Sequence, residues 1–312
     1  MSPRALTAYL IVCVVWGSTY IAIRAGVQVM PPALLAGIRF TIAGVLLLAI
    51  ARGLGQRLPT ERRDWNTHVV AGLLLLVGGN GLVVWAEQYV TAGVASIFVV
   101  TVSLWLAVFD AIIPGSKARA TPAQFLGLAV GFGGTLLLVG ADLETLRTAD
   151  WRGPIALTLA ATSWSLGSVF VQRRPAATGG SHVGSGLQQF AGGVALLLIG
   201  TATGEWQALT FSRVGVAAIA YLIVFGSLIG FTAYVYVLRH LSATITGTYA
   251  YANTVVAVFL GWLILDEPVT TRTLVAMAIV IGAVFWVKQG SRPARVPAER
   301  VGAVRDTERA AA

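Results

Sequence analysis

Arg39, Asn80 and Glu87 are polar residues set inside or at the end of long apolar runs. Arg39 falls about seven residues into its run, roughly 10 Å along a helix axis. A guanidinium at that depth is costly unless it is paired or faces water. It either grips a substrate carboxylate with its two-pronged fork or pairs structurally with Glu87, and residue types leave both open. Asn80, Val84 and Glu87 follow i, i+4, i+7 and share one helix face. A carboxyl group in a partly dry cavity takes up a proton near neutral pH. Glu87 is therefore the candidate for proton coupling; the alternatives are a solvated carboxylate at the lipid boundary or a partner for Arg39. Asn80 either lines a cavity or hydrogen-bonds between helices.

Aromatic and hydroxyl residues recur at the same helical spacing. Trp16, Tyr20 and Ile23 share a face, with Arg24 beside it, and Trp164, Ser168 and Val171 repeat the pattern. Tyr249 and Asn253 stand one turn apart, with Tyr251 facing elsewhere. Ser96, Val100 and Ser103 make a further stripe, Tyr234 and Tyr236 share one run, and Trp85 precedes Glu87. Such groups around a cavity suit aromatic or amphipathic small molecules; for each, the competing role is packing or an interfacial anchor. Gly17, Ser18 and Gly167 let neighbouring backbones approach, and Arg24 is expected to snorkel at the lipid edge.

Catalytic patterns are weak by comparison. The stretch "GGSHVGSG" (179–186) groups serine, histidine and glycine, yet it reads as a linker between spans. His68 and His240 fall at span edges. No acidic pair within a run has metal-ligand spacing, and no glycine-rich phosphate loop precedes Lys-Ser or Lys-Thr. No catalytic residue, metal or cofactor is expected.

The elements that must position these residues follow from composition. The 312 residues are 56% hydrophobic and 11% charged, against roughly 25% charged in an average soluble domain. Mean hydropathy is +0.79. So much apolar surface cannot be covered in water, so lipid is the expected solvent. The net charge of +9 is spread between apolar runs, which points to membrane topology and not to nucleic acid. Cys13, the single cysteine, lies in the first run and is expected to pack there. That run is read as a retained span, because no small-x-small site closes it.

A bilayer core of about 30 Å asks for roughly 20 apolar residues per helix. Ten runs qualify: about 5–23, 33–51, 68–86, 91–113, 122–140, 153–171, 184–203, 214–238, 243–265 and 271–288. The breaks between them carry turn or charge signals. Asp110 is expected to be solvated beside Lys117 and Arg119. Asp266-Glu267-Pro268 reads as a helix start, with negative charge at the positive end of the dipole. The tail beyond Lys288 reads as a disordered cytoplasmic segment. Lys and Arg crowd one side, including Arg52, Arg62, Arg63, Arg173, Arg174, Arg239 and Lys288, while Arg24, Arg147, Arg152, Arg213 and Arg272 fall on the other. That bias places both termini in the cytoplasm.

The second half repeats the first. Trp16 matches Trp164, "AGVLLL" (43–48) matches "GGVALL" (192–197), Gly79 matches Gly230, and "VASIFVVTVS" (94–103) matches "ITGTYAYANT" (245–254), at offsets of 148 to 151 residues. Five spans per unit is odd, so the second unit enters from the opposite side. The expected organisation is a first unit over 1–140, a connection over 141–152, a second unit over 153–288 and a tail over 289–312. Inverted repeats of this kind are typical of secondary transporters with a midplane site.

"WGSTYIAIRAG…PPALLAGIRF", "GNGLVVWAEQ", "SWSLGSVF" and "YAYANTVVAVFLGWLILDEP" together resemble the EamA family of the drug/metabolite transporter superfamily, above all its bacterial ten-helix inner-membrane exporters. The likeness covers about residues 5–288. It implies an all-α membrane protein of two inverted five-helix repeats, a central cavity, and export of small metabolites or drugs. The family pattern places proline in helices 4 and 9 where this chain has Ser103 and Thr254. Proline would kink a helix; a hydroxyl bends it only weakly.

The expectation is an alternating-access exporter of amino-acid-like, aromatic or amphipathic solutes, with the proton as a possible coupling ion, the lipid bilayer as partner, no nucleic acid, and a monomer as a workable state. A facilitative uniporter or importer, a passive channel and a membrane-embedded enzyme are the alternatives.

Overall fold

The computed structural model describes residues 1–90, 92–115, 120–140, 150–174, 180–265 and 269–290. Lys117, Arg119, Arg147, segment 141–149, Asp266-Glu267-Pro268 and the tail beyond Gly290 lie outside them. Among the described residues there are helices and no strands. The ten spans are α1 (Pro3–Val27), α2 (Pro32–Gly53), α3 (Arg62–Ala86), α4 (Val94–Ile112), α5 (Pro122–Val139), α6 (Arg152–Arg173), α7 (Ser181–Ala202), α8 (Arg213–His240), α9 (Ala243–Gly247 and Tyr249–Leu265) and α10 (Thr271–Gln289).

Several spans outrun their hydropathy because polar residues build the ends. Ser2, Ser212 and Ser242 cap α1, α8 and α9, and Thr121 with Gln124 forms a capping box before α5. At the start of α2, two prolines remove donors. The carboxylate of Glu205, in the turn between α7 and α8, accepts from the Leu34 N–H at 3.0 Å and the Ala33 N–H at 3.4 Å. Large apolar side chains such as Leu10, Val14, Leu198 and Phe285 cover the outside, as a lipid-facing surface requires.

The halves interlock helix by helix. α2 lies on α7, α5 on α10, α3 on α6, α8 on α1, and the start of α9 crosses α4. Glycines set the distances. A Cβ on Gly44 would lie 2.8 Å from Phe190 Cα, and one on Gly193 would strike Thr41. The two glycines are repeat mates, so the α2–α7 contact is reciprocal.

α3 and α8 share a feature that composition does not announce: each widens to i→i+5 hydrogen bonding, over Leu73–Gly81 and Leu222–Phe231. Wide turns of this kind gather at functional sites. Into each one fits the indole of the other repeat. A Cβ on Gly79 would stand 2.7 Å from Trp164 Cε3, and one on Gly230 would run into Trp16. Carbonyls of the wide turns receive side chains from across the interface: Gly226 O from Trp16 Nε1 at 3.0 Å, and Leu74 O from Ser163 Oγ at 2.8 Å.

α4 and α9 break without proline. The helix interrupts at Thr101 and at Thr248, where each hydroxyl donates to the carbonyl three residues back, Phe98 O and Ile245 O. Ser103 Oγ then donates to Gly247 O at 2.7 Å, tying the two breaks together. Thr254 bonds back to Ala250 O at 3.1 Å. Hydroxyls therefore stand at the interruptions expected of the missing prolines, two residues before Ser103 in α4 and six before Thr254 in α9.

Three expectations need correction. Asp110 is buried and pairs with Arg173 of α6, because α6 ends against the last turn of α4, and Arg173 also donates to Gly115 O at 3.1 Å. Residues 181–186 are the first turns of α7 and no linker. Their small residues suit close packing: a Cβ on Gly186 would lie 3.2 Å from Gly44 O. His68 is buried within α3, with Gln188 Nε2 3.4 Å from its Nδ1, because α3 starts two turns earlier than hydropathy indicates.

Two stability effects follow. G230A should lower the thermal midpoint of the purified protein, at a cost of about 1–3 kcal/mol for overpacking. G282A, where an added methyl meets nothing within 4 Å, should be neutral; equal effects would contradict the indole-over-glycine packing. D110N should cost about 3 kcal/mol by stranding Arg173, and D110N/R173Q should recover part of it in the same melting assay.

Candidate functional site

A cavity of about 90 Å³ lies between the repeats, against roughly 10–15 Å³ for one water on the same measure. Its walls come from α1 (Trp16, Thr19, Tyr20, Ile23), α2 (Arg39, Phe40), α3 (Leu76, Gly79, Asn80, Val83), α4 (Val99, Val102), α6 (Ala160, Ala161, Trp164), α8 (Gly226, Phe231) and α9 (Tyr249, Asn253). Most of these residues stand from mid-span toward the face that carries the α1–α2 and α3–α4 connections. Toward the other face, where α1 starts and α10 ends, the Tyr9 hydroxyl meets Thr248 Oγ1 at 2.7 Å and the α4–α9 crossing fills the interior.

The mid-span end is an aromatic cluster. Trp16 stacks edge-on to Trp164 with centroids 5.4 Å apart, and lies 4.9 Å from Tyr234 and 5.3 Å from Tyr249. Hydrogen bonds hold the rings at fixed angles. Trp164 Nε1 donates to Tyr234 OH at 2.9 Å, and Ser168 Oγ donates to Trp164 O. The Tyr234 hydroxyl therefore donates to Ser168 Oγ, 2.6 Å away. On α9, the Asn253 amide, oriented to satisfy its neighbours, donates to Cys13 O and Tyr249 O at 3.0 Å each. Rings locked in this way offer flat apolar faces with little freedom left to lose on binding.

Arg39 is the one charged side chain on the wall. It is 4% exposed. Its Nε donates to Ser227 Oγ at 2.9 Å, and its guanidinium carbon sits 4.6 Å from the Phe40 ring centre. It makes no ion pair with Glu87 among the described residues, so the pairing weighed from sequence does not form. Asn80 is also on the wall, and its Oδ1 is buried without a hydrogen-bond partner.

Glu87 follows the last residue of α3 and is off the wall. It is 1% exposed, and neither carboxylate oxygen has a hydrogen-bond partner among the described residues. Arg24 reaches its backbone carbonyl at 3.1 Å, so this arginine is tied to the end of α3 and does not snorkel freely. Nearby, Arg152 lies 4.6 Å over the Tyr89 ring, and its hydrogen bonds hold the exposed Asp150 carboxyl below its usual range.

Of the residues singled out by spacing, Trp16, Tyr20, Arg39, Asn80, Trp164, Tyr249 and Asn253 thus meet at one cavity. Tyr234, itself a ring of the aromatic cluster, and Ser168, which braces it, are off the wall. Ser103 is spent on the α4–α9 crossing. Ser96 is half-buried off the wall, and Trp85 packs 4.8 Å from Tyr89 near the end of α3. Tyr251 donates to Leu128 O at 2.7 Å, away from the cavity. Spacing missed the residues that make room: Thr19, Gly226, Val99, Val102, Ala160 and Ala161. Only Gly79, matched to Gly230 across the repeat, left a signal.

The chain is 36% identical over 278 residues to the uncharacterized inner membrane transporter YedA of Escherichia coli (strain K12), covering 89% of this chain and 88% of that one. It is 24% identical to the uncharacterized transporter YoaV of Bacillus subtilis (strain 168), over 90% and 96% of the two chains. One crystal structure shares the fold with a TM-score of 0.73 at 20% identity, over 92% of this chain and 97% of that one. The profile of the EamA-like transporter family matches residues 3–140 and 151–288, one match per repeat. The chain belongs to the EamA-like transporter family.

Proposed function

We propose that this protein exports small aromatic or amphipathic solutes across the bacterial inner membrane by alternating access, with both termini in the cytoplasm. The observation that carries the reading is the cavity itself: it lies on the seam between two oppositely threaded repeats, reaches toward one face, and is blocked toward the other by the α4–α9 crossing. A carrier needs one site with two alternative closures. Here the Asp110–Arg173 pair, the Tyr9–Thr248 contact and the Ser103–Gly247 bond serve as the cytoplasmic closure. The indoles belong to different repeats, so rocking one repeat against the other would re-form the floor around the solute.

Proton coupling is assigned to Glu87. Among the described residues its carboxyl group has no hydrogen-bond donor, the nearby Arg24 being bonded to the Glu87 backbone carbonyl instead, and an ion without such donors is expensive to bury. It sits one residue beyond the end of α3, within reach of the connections that would move as the outer side closes. Taking up and releasing a proton would then bias which closure forms.

Counterflow with radiolabelled solutes in proteoliposomes should show trans-stimulation, drawn from a panel of amino acids, purines, quaternary ammonium compounds and aromatic toxins. Uptake that ignores the internal solute would make the protein a channel. In the same vesicles E87Q should abolish the response of transport to an imposed pH gradient while sparing exchange at constant pH. An unchanged response would remove Glu87 from the coupling role.

A further inference from the structure

We propose that the solute carries a carboxylate beside its aromatic part, and that Arg39 selects it; this rests on the cavity being the transport site. Among the described residues Arg39 is the one charged side chain on the wall, and none of the wall residues is acidic. Of its five N–H donors, the structure uses one, on the neutral Ser227 Oγ. The terminal nitrogens make no hydrogen bond or ion pair among the described residues, and Phe40 supports the guanidinium. That is a preformed fork awaiting a planar, two-oxygen acceptor.

The fold does not itself require the charge. The corresponding position of the second repeat is Gln188, a neutral side chain that turns to His68. A lone guanidinium kept in a low-dielectric wall is costly on its own account, so its presence on the cavity side of one repeat only is explained by a ligand charge. The aromatic cluster supplies flat faces, and the Arg39 guanidinium stands beside it: a Cβ on Gly226 would lie 2.6 Å from Arg39 Nη2, and the Gly226 carbonyl takes the Trp16 indole N–H. A solute with a ring at one end and a carboxylate at the other satisfies both. Without the carboxylate, the donors are left unpaired, the situation in which sites discriminate best.

The test uses three probes with one ring: phenylacetate, phenylacetamide and phenethylamine. Binding to the full-length protein in lipid nanodiscs is read as the ligand-dependent rise in unfolding midpoint. Phenylacetate should half-saturate at a concentration at least about tenfold below the amide, with the amine weakest. R39Q should bring phenylacetate down to the amide without altering the amide, R39K should keep part of the preference, and W16A should weaken all three probes. An amide or amine that matches the carboxylate in the natural protein overturns the inference, and so does a full carboxylate preference in R39Q. Should R39Q not fold, the natural protein's three-probe order decides. Binding that needs Trp16 but ignores charge overturns the carboxylate alone. No binding by any probe, or binding indifferent to both Trp16 and Arg39, removes the cavity reading as well.

Discussion

Two indoles seated in two glycine notches organise this protein. Trp16 and Trp164 can meet at the centre only because Gly230 and Gly79 have no side chain, and because the helices carrying those glycines are wound more loosely there. The contact is reciprocal: each repeat lends a ring and receives one. From it follow the floor of the cavity, the spacing of α1 from α8 and of α6 from α3, and the fact that the chamber lies on the seam rather than inside either half. Larger residues at the notches would push the halves apart, and the chamber would lose its floor.

Lipid sets the second constraint, because it offers no water to stray backbone groups. The loosened turns and the interrupted helices expose carbonyls that a regular helix would engage. In each case a side chain takes them up: Trp16 at Gly226, Ser163 at Leu74, Thr101 at Phe98, Thr248 at Ile245 and Ser103 at Gly247. Ser103, which stands where the family pattern leads one to expect proline, is part of this set, and Thr254, at the second such position, bonds back to Ala250 O. A proline removes an N–H and forces the bend. A hydroxyl instead competes for the carbonyl and leaves the N–H available, so the same bend is reached with a softer joint.

Much of this is legible in the sequence. Ten spans, their alternation and the repeat follow from hydropathy and a constant offset, which depend on gross composition. The stripe Trp16–Tyr20–Ile23 pointed at the cavity because helical spacing alone decides which residues share a face. What spacing could not tell was which way that face turns. Ser168 and Val171 keep the same register as their counterparts and yet are packed away, since α6 runs opposite to α1 and the residues after Trp164 head toward the closed face, where α6 ends against α4. Asp110 looked solvated because its sequence neighbours are basic; its partner lies sixty residues on, at the end of α6. The loosened turns of α3 and α8 had no visible mark beyond paired glycines, because helix winding is settled by what presses against it.

Glu205 has a wider consequence. This carboxylate sits in the turn after α7 and holds the first amide groups at the head of α2, while α2 and α7 interdigitate through Gly44 and Gly193 along their length. One helix from each repeat is thereby latched to the other at the tip as well as along the shaft. A pair fastened twice makes a poor sliding surface and a good axle. Under the proposed alternating access, the displacement that exchanges one opening for the other would then be carried by the spans with broken or loosened backbone, turning around a spindle that stays put.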